Sequence, residues 1–577
     1  MAAVTLEQLL ESARRWAHDD VDPATIRELL ALVTDESEAE LRDRFSMNLE
    51  FGTAGLRGVL GAGPNRMNRA VVLRTTAGLA RYLKATTLDA AARGVVIGRD
   101  GRRQSDVFAR DVAEVLAAEG ITAHVLDGVS PTPLTAYAVT ALGAAAGVMV
   151  TASHNPPEYN GYKVYWGNGA QIIPPHDAGI AAAIDRVEPA REVPLVPEAQ
   201  ARAKKLWRDV PRSVRDAWLE GVLALRPLKV KGGVRIVYTA MHGVGGASVL
   251  EVLSRAGFAH VFPVPEQQEP DGAFPTVRFP NPEEKGALDL ATALAQQQNA
   301  DVVLANDPDA DRLAVMARDG SGALKLLTGN EVGVLLGHFL LTHAPKSPRP
   351  LVETTIVSSA QLRTLAEAFG AAYEETLTGF KWIANQALKR EADGSVRFLF
   401  GYEEALGYTA GTLVRDKDGV GAAAVVADLA ADCAKRGLTL FGQLEAIQRA
   451  HGLFVATQFN ATLPGESGAK TIRAVMEGFR ARPPSAVGAH PVRATTDYGL
   501  GAGGLPRSNV LTYQLDGARI TVRPSGTEPK VKVYFEVREP VAQGEPMAQA
   551  RARAAKALET LERDFLVLAR ERGLPQA

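Results

Sequence analysis

One plan recurs three times in this chain and limits the folds open to it. A helix-length stretch leads into a short apolar strand, and the strand ends in a polar loop. The three predicted strands are Ala145 to Val150, Val302 to Ala305 and Arg397 to Phe400. Alternating helices and strands form largely parallel sheets, and ligands bind beyond the carboxyl ends of such strands. The pattern therefore predicts an α/β fold of three topologically similar domains with mixed sheets, arranged around a central cleft.

The two ends of the chain follow other patterns. The first 50 residues show helical spacing of apolar side chains, at Trp16, Ile26, Leu29, Leu30 and Leu41, which predicts a helical packing extension. Near the C-terminus, predicted strands at 519–522 and 530–537 precede a long helix at about 546–568, as in a smaller α+β domain. The expected boundaries are 1–50, 51–225, 226–325, 326–453 and 454–577.

Net charge and hydropathy limit the classes of partner and the cellular location that we expect for the chain. A net charge of -2 provides no general attraction to nucleic acid or to an anionic membrane, so small molecules are the expected partners. The N-terminus lacks a basic region followed by an apolar one, and no apolar run is long enough to span a bilayer. A cytoplasmic location is therefore expected. The oligomeric state stays open.

The first polar loop carries chemistry-bearing side chains. Ser153, His154 and Lys163 lie within thirteen residues behind an apolar strand, and Pro156-Pro157 and Asn160-Gly161 are expected to form turns. By itself Ser153 would be read as a hydroxyl that satisfies local backbone groups. The loop lacks the Gly-x-Ser-x-Gly elbow of many hydrolases, so a nucleophile or phosphoryl carrier of another kind is the alternative.

The second loop favours the functional interpretation. Asp307, Asp309 and Asp311 alternate along the chain, and like charges held together raise each other's pKa unless a counter-charge is present. The loop begins like a calcium-binding EF-hand, but Arg312 and Arg318 occupy the glycine and glutamate positions. Magnesium, bridging carboxylates and a phosphoryl oxygen, fits better. A solvated acidic turn is the alternative.

Together these motifs resemble those of the α-D-phosphohexomutase superfamily, and the resemblance covers nearly the whole chain. Thr151-Ala-Ser-His-Asn-Pro156 is similar to the family's phosphoserine loop, and the three aspartates are similar to its magnesium loop. Within the superfamily, the chain most resembles the longer phosphopentomutase and phosphoglucomutase branch. This narrower resemblance lies in three segments, Phe51 to Gly58, Lys163 to Trp166 and Gly401 to Tyr408. The resemblance implies Mg²⁺, bound by Asp307, Asp309, Asp311 and phosphorylated Ser153, and a sugar 1,6-bisphosphate as activator.

The resemblance also implies the substrate contacts. Glu403 and Glu404 would hold the sugar ring, although paired glutamates are more often a solvated face. Phe380 stands where many relatives have histidine, which puts the ring contacts of a standard glucomutase in doubt. The 523–530 loop would hold the distal phosphate, with an ordinary strand-connecting turn as the alternative. The full set of expected substrate contacts is Arg312, Lys381, Glu403, Glu404, Arg523, Ser525, Gly526, Thr527 and Lys530.

The expected activity is that of a phosphosugar mutase. Phosphorylated Ser153 would donate to a sugar phosphate, and the resulting bisphosphate would reorient and return its other phosphate. Arg57 would add a fixed cation, Lys163 with a lowered pKa would act as general acid and base, and His154 would orient or replace it. Glucose 1-phosphate is placed ahead of ribose 1-phosphate. Phosphomannomutase, a sugar bisphosphate synthase and a non-catalytic sugar-phosphate sensor are the alternatives.

Overall fold

The computed structural model describes residues 4–50, 55–463, 465–525 and 530–575. The backbone forms two compact units. The first unit comprises Met1–Arg318, Ala323–Leu327 and Leu406–Arg436, and the second comprises Asp319–Gly322, Thr328–Ala405 and Gly437–Ala577.

The N-terminal extension is helical, as predicted. Its helices are α1 (Leu6–Asp19), α2 (Pro23–Thr34) and α3 (Glu38–Phe45). Thr5 and Gln8 form a capping box that starts α1, because each side chain satisfies a backbone N–H of the other. Leu29 and Leu41 are fully buried. The expected burial of Leu30 is wrong, since it lies off the apolar stripe and is 45% exposed.

A six-stranded sheet follows the extension in the first unit. Its elements are β1 (Leu56–Val59), α4 (Arg69–Thr86), α5 (Ala90–Arg93), β2 (Val95–Arg99), α6 (Ser105–Ala118), β3 (Ala123–Val125), α7 (Thr132–Ala141), β4 (Ala146–Val150), β5 (Tyr159–Trp166), α8 (His176–Ile184), α9 (Glu198–Ala203), β6 (Trp207–Asp209) and α10 (Arg212–Ala224). The strand order is β1-β5-β4-β2-β3-β6. β2 is parallel to β3 and β4, β3 is parallel to β6, and β5 is antiparallel to both β1 and β4.

The turn expected at Asn160-Gly161 is wrong, because both residues lie inside β5. A Cβ on Gly161 would lie 2.5 Å from the Thr151 carbonyl oxygen and 2.7 Å from that of Leu56. Glycine therefore allows β5 to fit closely between β1 and β4. Lys163 consequently lies in a strand, opposite Met149, and not in the loop.

The second sheet of the first unit has five strands in the order β11-β10-β9-β7-β8. β9 is parallel to β7, and β10 runs back antiparallel to β9. The three aspartates occupy the connection from β9 to β10. The elements are β7 (Ile236–Thr239), α11 (Gly246–Arg255), β8 (Val261–Pro263), α12 (Asp289–Gln297), β9 (Val302–Ala305), β10 (Ala314–Arg318) and β11 (Leu324–Leu326).

The next elements are α13 (Gly329–His343), β12 (Arg349–Thr355), α14 (Gln361–Phe369), β13 (Ala372–Thr376), α15 (Phe380–Glu391), β14 (Val396–Glu403), β15 (Gly407–Ala410), α16 (Gly419–Lys435) and α17 (Leu440–His451). β15 and α16 belong to the first unit and the others to the second. β12 is parallel to both β13 and β14. Because β14 extends to Glu403, that residue ends a strand, whereas the sequence placed it in a loop.

The C-terminal part of the second unit is an antiparallel sheet in the order β16-β21-β20-β19-β18-β17. Phe479 and Phe565 stack in its core with centroids 5.2 Å apart. The elements are β16 (Leu453–Thr462), α18 (Gly465–Ala481), β17 (Ala486–Val487), β18 (His490–Asp497), β19 (Leu511–Leu515), β20 (Ala518–Pro524), β21 (Lys530–Glu539) and α19 (Met547–Arg570).

The predicted α/β class with mixed sheets and a C-terminal α+β region is thus confirmed. Among the described residues, every helix is too short or too polar to cross a bilayer.

Candidate active site

Ser153 lies in the loop between β4 and β5, at the carboxyl end of a buried strand. Its backbone has a φ of 51°, a left-handed conformation that a non-glycine residue keeps only when its surroundings hold it there. The side chain is buried. Its Oγ lies 2.7 Å from Asp307 Oδ2 and 3.2 Å from His154 Nδ1. The hydroxyl therefore contacts side chains of the acidic loop and of His154 rather than the backbone of its own turn.

A buried arginine, Arg102, donates hydrogen bonds to the backbone of the Ser153 loop. The Arg102 guanidinium donates to the carbonyl oxygens of Ser153 at 2.6 Å, Asn155 at 2.5 Å, Pro156 at 2.8 Å and Tyr159 at 3.1 Å. These four bonds span the loop between β4 and β5, so one side chain sets its shape.

A carboxylate completes this support. Asp100 accepts from the hydroxyls of Thr151 at 2.6 Å and Ser105 at 2.7 Å, and the Thr151 hydroxyl accepts from the Ser153 N–H at 2.9 Å. Asp100 also pairs with Arg102 at 3.3 Å. This pair was not predicted from the sequence. The signal was the charged run Arg99 to Arg103 directly after an apolar strand.

The three aspartates form one cluster, as expected. Asp307, Asp309 and Asp311 are all buried, and one carboxylate oxygen from each lies within 4.8 Å of those from the other two. Burial excludes the alternative of a solvated acidic turn. Thr132, at the start of α7, donates from Oγ1 to Asp309 Oδ2 at 2.6 Å and so connects the first sheet's helix to this loop.

Two lysines supply part of the counter-charge that the cluster needs. Lys163 Nζ donates to Asp309 at 2.7 Å and to Asp311 at 2.8 Å. Lys417 Nζ lies 3.2 Å from Asp311. The lowered pKa expected for Lys163 is wrong here: burial alone would lower it, but the two carboxylates raise it above the ordinary value. Lys417 was not among the residues predicted from the sequence.

The cluster can hold a metal ion. Oδ1 of Asp309 and Oδ1 of Asp311 are buried without a hydrogen-bond partner among the residues that the structure describes. Burial and the two neighbouring carboxylates raise the pKa of Asp307 well above its usual value. Burial would also raise the pKa values of Asp309 and Asp311, but Lys163 holds both below their usual value. A hard cation would bind the unpaired buried oxygens and neutralise the excess negative charge of the three carboxylates.

The other residues expected in this part of the site lie beside Ser153. Arg57, on β1, donates to Asn155 Oδ1 at 2.8 Å, and burial lowers its pKa to about 10. Arg312 donates its backbone N–H to Asp307 Oδ1 at 3.0 Å. Burial and these two guanidinium groups lower the pKa of His154 well below its usual value, so the imidazole is neutral near pH 7.

The sugar-binding residues expected in the second unit lie at the carboxyl end of β14 and at the start of α15. Glu403 is buried and accepts from the Gly379 N–H at 2.7 Å. Glu404 is half-buried and accepts at Oε2 from Ser358 Oγ at 2.9 Å. Lys381, at the start of α15, lies with its Nζ 5.5 Å from the centroid of the Trp382 ring.

Phe380 does not have the role that the sequence suggested. It is 3% exposed and packs in a core cluster with Leu351, Ile383 and Phe398. Its side chain is therefore structural, and the argument that it alters a contact with the sugar falls. The half-exposed aromatic side chain next to Lys381 is Trp382.

Arg523, at the end of β20, and Glu404 both lie near Tyr534. Tyr534 on β21 is hydrogen-bonded to Arg523, and burial, followed by the charge of Glu404, raises the tyrosine's pKa. The backbone N–H of Ser525 donates to the Lys530 carbonyl oxygen at 2.6 Å. Gly526 and Thr527, the other expected phosphate contacts, lie outside the described residues, as do residues 51–54 of the Phe51–Gly58 motif.

Comparison with known proteins agrees with this arrangement. Models of the phosphoglucomutase/phosphomannomutase family match in order: alpha/beta/alpha domain I at 48–191, domain II at 216–320, domain III at 328–448 and the C-terminal domain at 508–554. A phosphopentomutase of Pongo abelii is 37% identical over 93% of each chain. A glucose 1,6-bisphosphate synthase of Mus musculus is 37% identical over 92% of this chain and 90% of its own.

A solved structure shows the same fold. A phosphoglucomutase/phosphomannomutase family protein from Burkholderia thailandensis superimposes with a TM-score of 0.69 at 20% identity, over 92% of this chain and 99% of its own. With four family domains in order and relatives this similar over nearly the full length, the chain belongs to the phosphoglucomutase/phosphomannomutase family of the α-D-phosphohexomutase superfamily and is an enzyme of that family.

Proposed function

We propose that the protein is a phosphosugar mutase in which Ser153 carries the phosphoryl group. The observation that carries the proposal is the buried Ser153 hydroxyl, held in a left-handed turn 2.7 Å from one carboxylate of a three-aspartate cluster. A hydroxyl beside a metal-binding cluster is suited to phosphoryl transfer, where positioning and charge neutralisation supply most of the catalysis.

The reaction is written as two transfers. In the first transfer, the bond from phosphorus to Ser153 Oγ breaks while a free hydroxyl oxygen of the sugar phosphate bonds to the same phosphorus. The proton of that hydroxyl passes to Ser153 Oγ through a general acid–base group. The resulting sugar bisphosphate reorients. In the second transfer, the bond between the other phosphorus and its sugar oxygen breaks while Ser153 Oγ bonds to that phosphorus. The Ser153 proton passes to the sugar oxygen, and the isomeric sugar phosphate is released. A sugar 1,6-bisphosphate starts the cycle by phosphorylating Ser153.

Mg²⁺ is the proposed metal, held by Asp307, Asp309, Asp311 and an oxygen of phosphorylated Ser153. When bound, it would neutralise the charge of the transferring phosphoryl group. Arg57 and Arg312 add fixed positive charge beside the same loop.

The contacts favour His154 as the group that exchanges a proton with Ser153. Its Nδ1 lies 3.2 Å from Oγ, and its lowered pKa leaves it neutral and able to accept. Lys163, the sequence-based choice, donates to Asp309 and Asp311 and supports the metal loop instead. Glu403, Glu404 and Lys381 are the proposed sugar contacts, and Arg523, Ser525, Gly526, Thr527 and Lys530 the proposed phosphate contacts.

For the sugar, we place ribose 1-phosphate first and glucose 1-phosphate second. The relative named phosphopentomutase, 37% identical over 93% of the chain, supports ribose. The paired glutamates and the relative named glucose 1,6-bisphosphate synthase support glucose and keep bisphosphate synthesis as a second activity. Specificity constants for ribose, glucose and mannose 1-phosphates, each with its bisphosphate, decide the order. Turnover only with a separate donor such as bisphosphoglycerate would identify a synthase.

The mutase mechanism is tested at Ser153. Peptide mass spectrometry after incubation with a sugar 1,6-bisphosphate should find phosphate on Ser153, and Ser153→Ala should abolish turnover while the protein stays folded. Ser248→Ala, which changes another buried serine on α11, is the matched control and should keep activity. An active Ser153→Ala variant without phosphate at this loop would overturn the proposal.

A further inference from the structure

Glu404 is hydrogen-bonded to Ser358, in the loop that follows β12. Ser358 Oγ donates to Glu404 Oε2 at 2.9 Å and lies 3.1 Å from the Glu404 N–H, which donates to it. Thr355 Oγ1 lies 2.8 Å from Ser358 Oγ and 3.5 Å from the same carboxylate oxygen. Within the part of the chain that the structure describes, the side-chain bonds to this carboxylate fall on Oε2, which leaves Oε1 to a ligand.

Ser358 is itself anchored by a strand of the C-terminal sheet. Arg519, on β20, donates to the Ser358 carbonyl oxygen and pairs with Glu375 at 2.8 Å. It also lies 3.7 Å from Glu536. Ser358 is fully buried and Arg519 is 8% exposed, so water competes little with these bonds.

The same strand carries the proposed phosphate contact. Arg519, Thr521 and Arg523 alternate along β20 and so share one face of it. Thr521 Oγ1 lies 3.4 Å from the Ile356 carbonyl oxygen, in the loop that contains Ser358. One strand therefore anchors the support of Glu404 and presents Arg523.

We propose that Ser358 is a positioning residue that aims the Glu404 carboxylate at a sugar hydroxyl, and that Arg519 fixes Ser358 for this purpose. The inference rests on the proposed function, because it takes Glu404 as a ligand of the sugar ring. Ser358 makes no contact with the reacting atoms in this account. It determines how well the ring is recognised and leaves recognition of the phosphate to Arg523.

The test measures binding without turnover. In a Ser153→Ala background, Ser358→Ala should weaken the affinity for ribose 1-phosphate and glucose 1-phosphate about tenfold, the usual effect of losing a hydrogen bond to a charged group. The affinity for methyl phosphate, which lacks ring hydroxyls, should change less than about twofold on the same reasoning. Isothermal titration calorimetry gives both values.

Ser359→Ala is the matched control. Ser359 is adjacent and buried, but its hydroxyl accepts from the Gln361 N–H at 3.2 Å and is hydrogen-bonded to Glu536, not to Glu404. Its substitution should leave both affinities unchanged. Because Thr355 Oγ1 lies close enough to replace the missing donor, the double variant Thr355→Val/Ser358→Ala should show at least the loss of the single variant.

A cycle with Glu404→Gln separates positioning from a general structural effect. In that background Ser358→Ala should cost little further affinity, because its partner is already altered. Arg519→Lys, which keeps a cation for Glu375, should likewise have little effect once Ser358 is alanine. Equal losses in both backgrounds, or an equal loss for methyl phosphate, would overturn the positioning role.

The two proposals fail differently. A chain that binds sugar phosphates with this pattern but does not turn them over would contradict the mutase mechanism and support the positioning role. Turnover by the unsubstituted chain, with Ser358→Ala as tight a binder as the Ser359→Ala control, would contradict the positioning role alone.

Discussion

Replacing Arg102 with lysine tests whether the shape of the Ser153 loop sets the rate. The guanidinium reaches four loop carbonyl oxygens, from Ser153 to Tyr159, with one rigid fork. An ammonium is a single point donor and cannot span them. Lysine keeps a cation beside Asp100, so the substitution alters geometry and leaves the buried charge paired.

The number of bonds lost gives the size of the effect. If lysine keeps one carbonyl contact, three are lost, and at about 1 kcal/mol of net stabilisation each they amount to about 3 kcal/mol. Because these bonds hold Ser153 in its left-handed turn, losing them should misplace its hydroxyl. We expect kcat to fall about a hundredfold, the loss that follows from a misplacement of about 1 Å. KM should change little, because the proposed sugar and phosphate contacts lie on other elements.

The assay is steady-state turnover with a sugar 1-phosphate and its bisphosphate, together with the fraction of Ser153 that carries phosphate. Arg103→Lys is the matched control, since Arg103 is exposed and contacts Asn160 only through its backbone carbonyl. The control should behave as wild type. A kcat for Arg102→Lys within about threefold of wild type, less than 1 kcal/mol, would refute the argument that this side chain positions Ser153.

Three further predictions follow from charge. Chelation should remove activity, Mg²⁺ should restore it, and Asp309→Asn should weaken Mg²⁺ binding in calorimetry; full activity in excess chelator would contradict the metal role. The pKa of His154 is lowered in the folded chain, so the unfolded chain binds an extra proton as pH falls through about 6.5. The free energy of unfolding therefore decreases below that pH. His154→Gln should reduce the fall in Tm on acidification. Arg523→Ala should raise KM, whereas Lys163→Met should lower kcat. An effect of Lys163→Met on KM alone would contradict the role of Lys163 in supporting the metal-binding aspartates.

Much of the site was predictable because its residues lie in short continuous segments. Ser153 and the three aspartates each follow an apolar strand, and local sequence was sufficient to predict those strands within a few residues. The alternation of helix and strand likewise predicted the α/β class. Such signals are local because strand patterning depends on neighbouring side chains.

The errors concern residues whose environment depends on distant parts of the chain. Asn160-Gly161 was predicted as a turn, since nothing local shows that a strand must pass between two others. Phe380, which stands where many relatives have histidine, was predicted to remove a contact with the sugar, but packing against β12 and β14 makes it a core residue. The pKa of Lys163 was expected to fall, and carboxylates about 150 residues away along the chain raise it.

The sequence by itself determined the fold class and the family resemblance. It also identified Ser153 as the candidate phosphoryl carrier and the three aspartates as the candidate metal ligands. Tertiary structure alone decided how they are supported: Arg102 beneath the Ser153 loop, Lys163 and Lys417 at the aspartates, and Ser358 with Arg519 behind Glu404. The physical reason is that hydrogen bonds and charge pairs act over a few ångströms in space, whereas periodicity and motifs report only on neighbours in the chain.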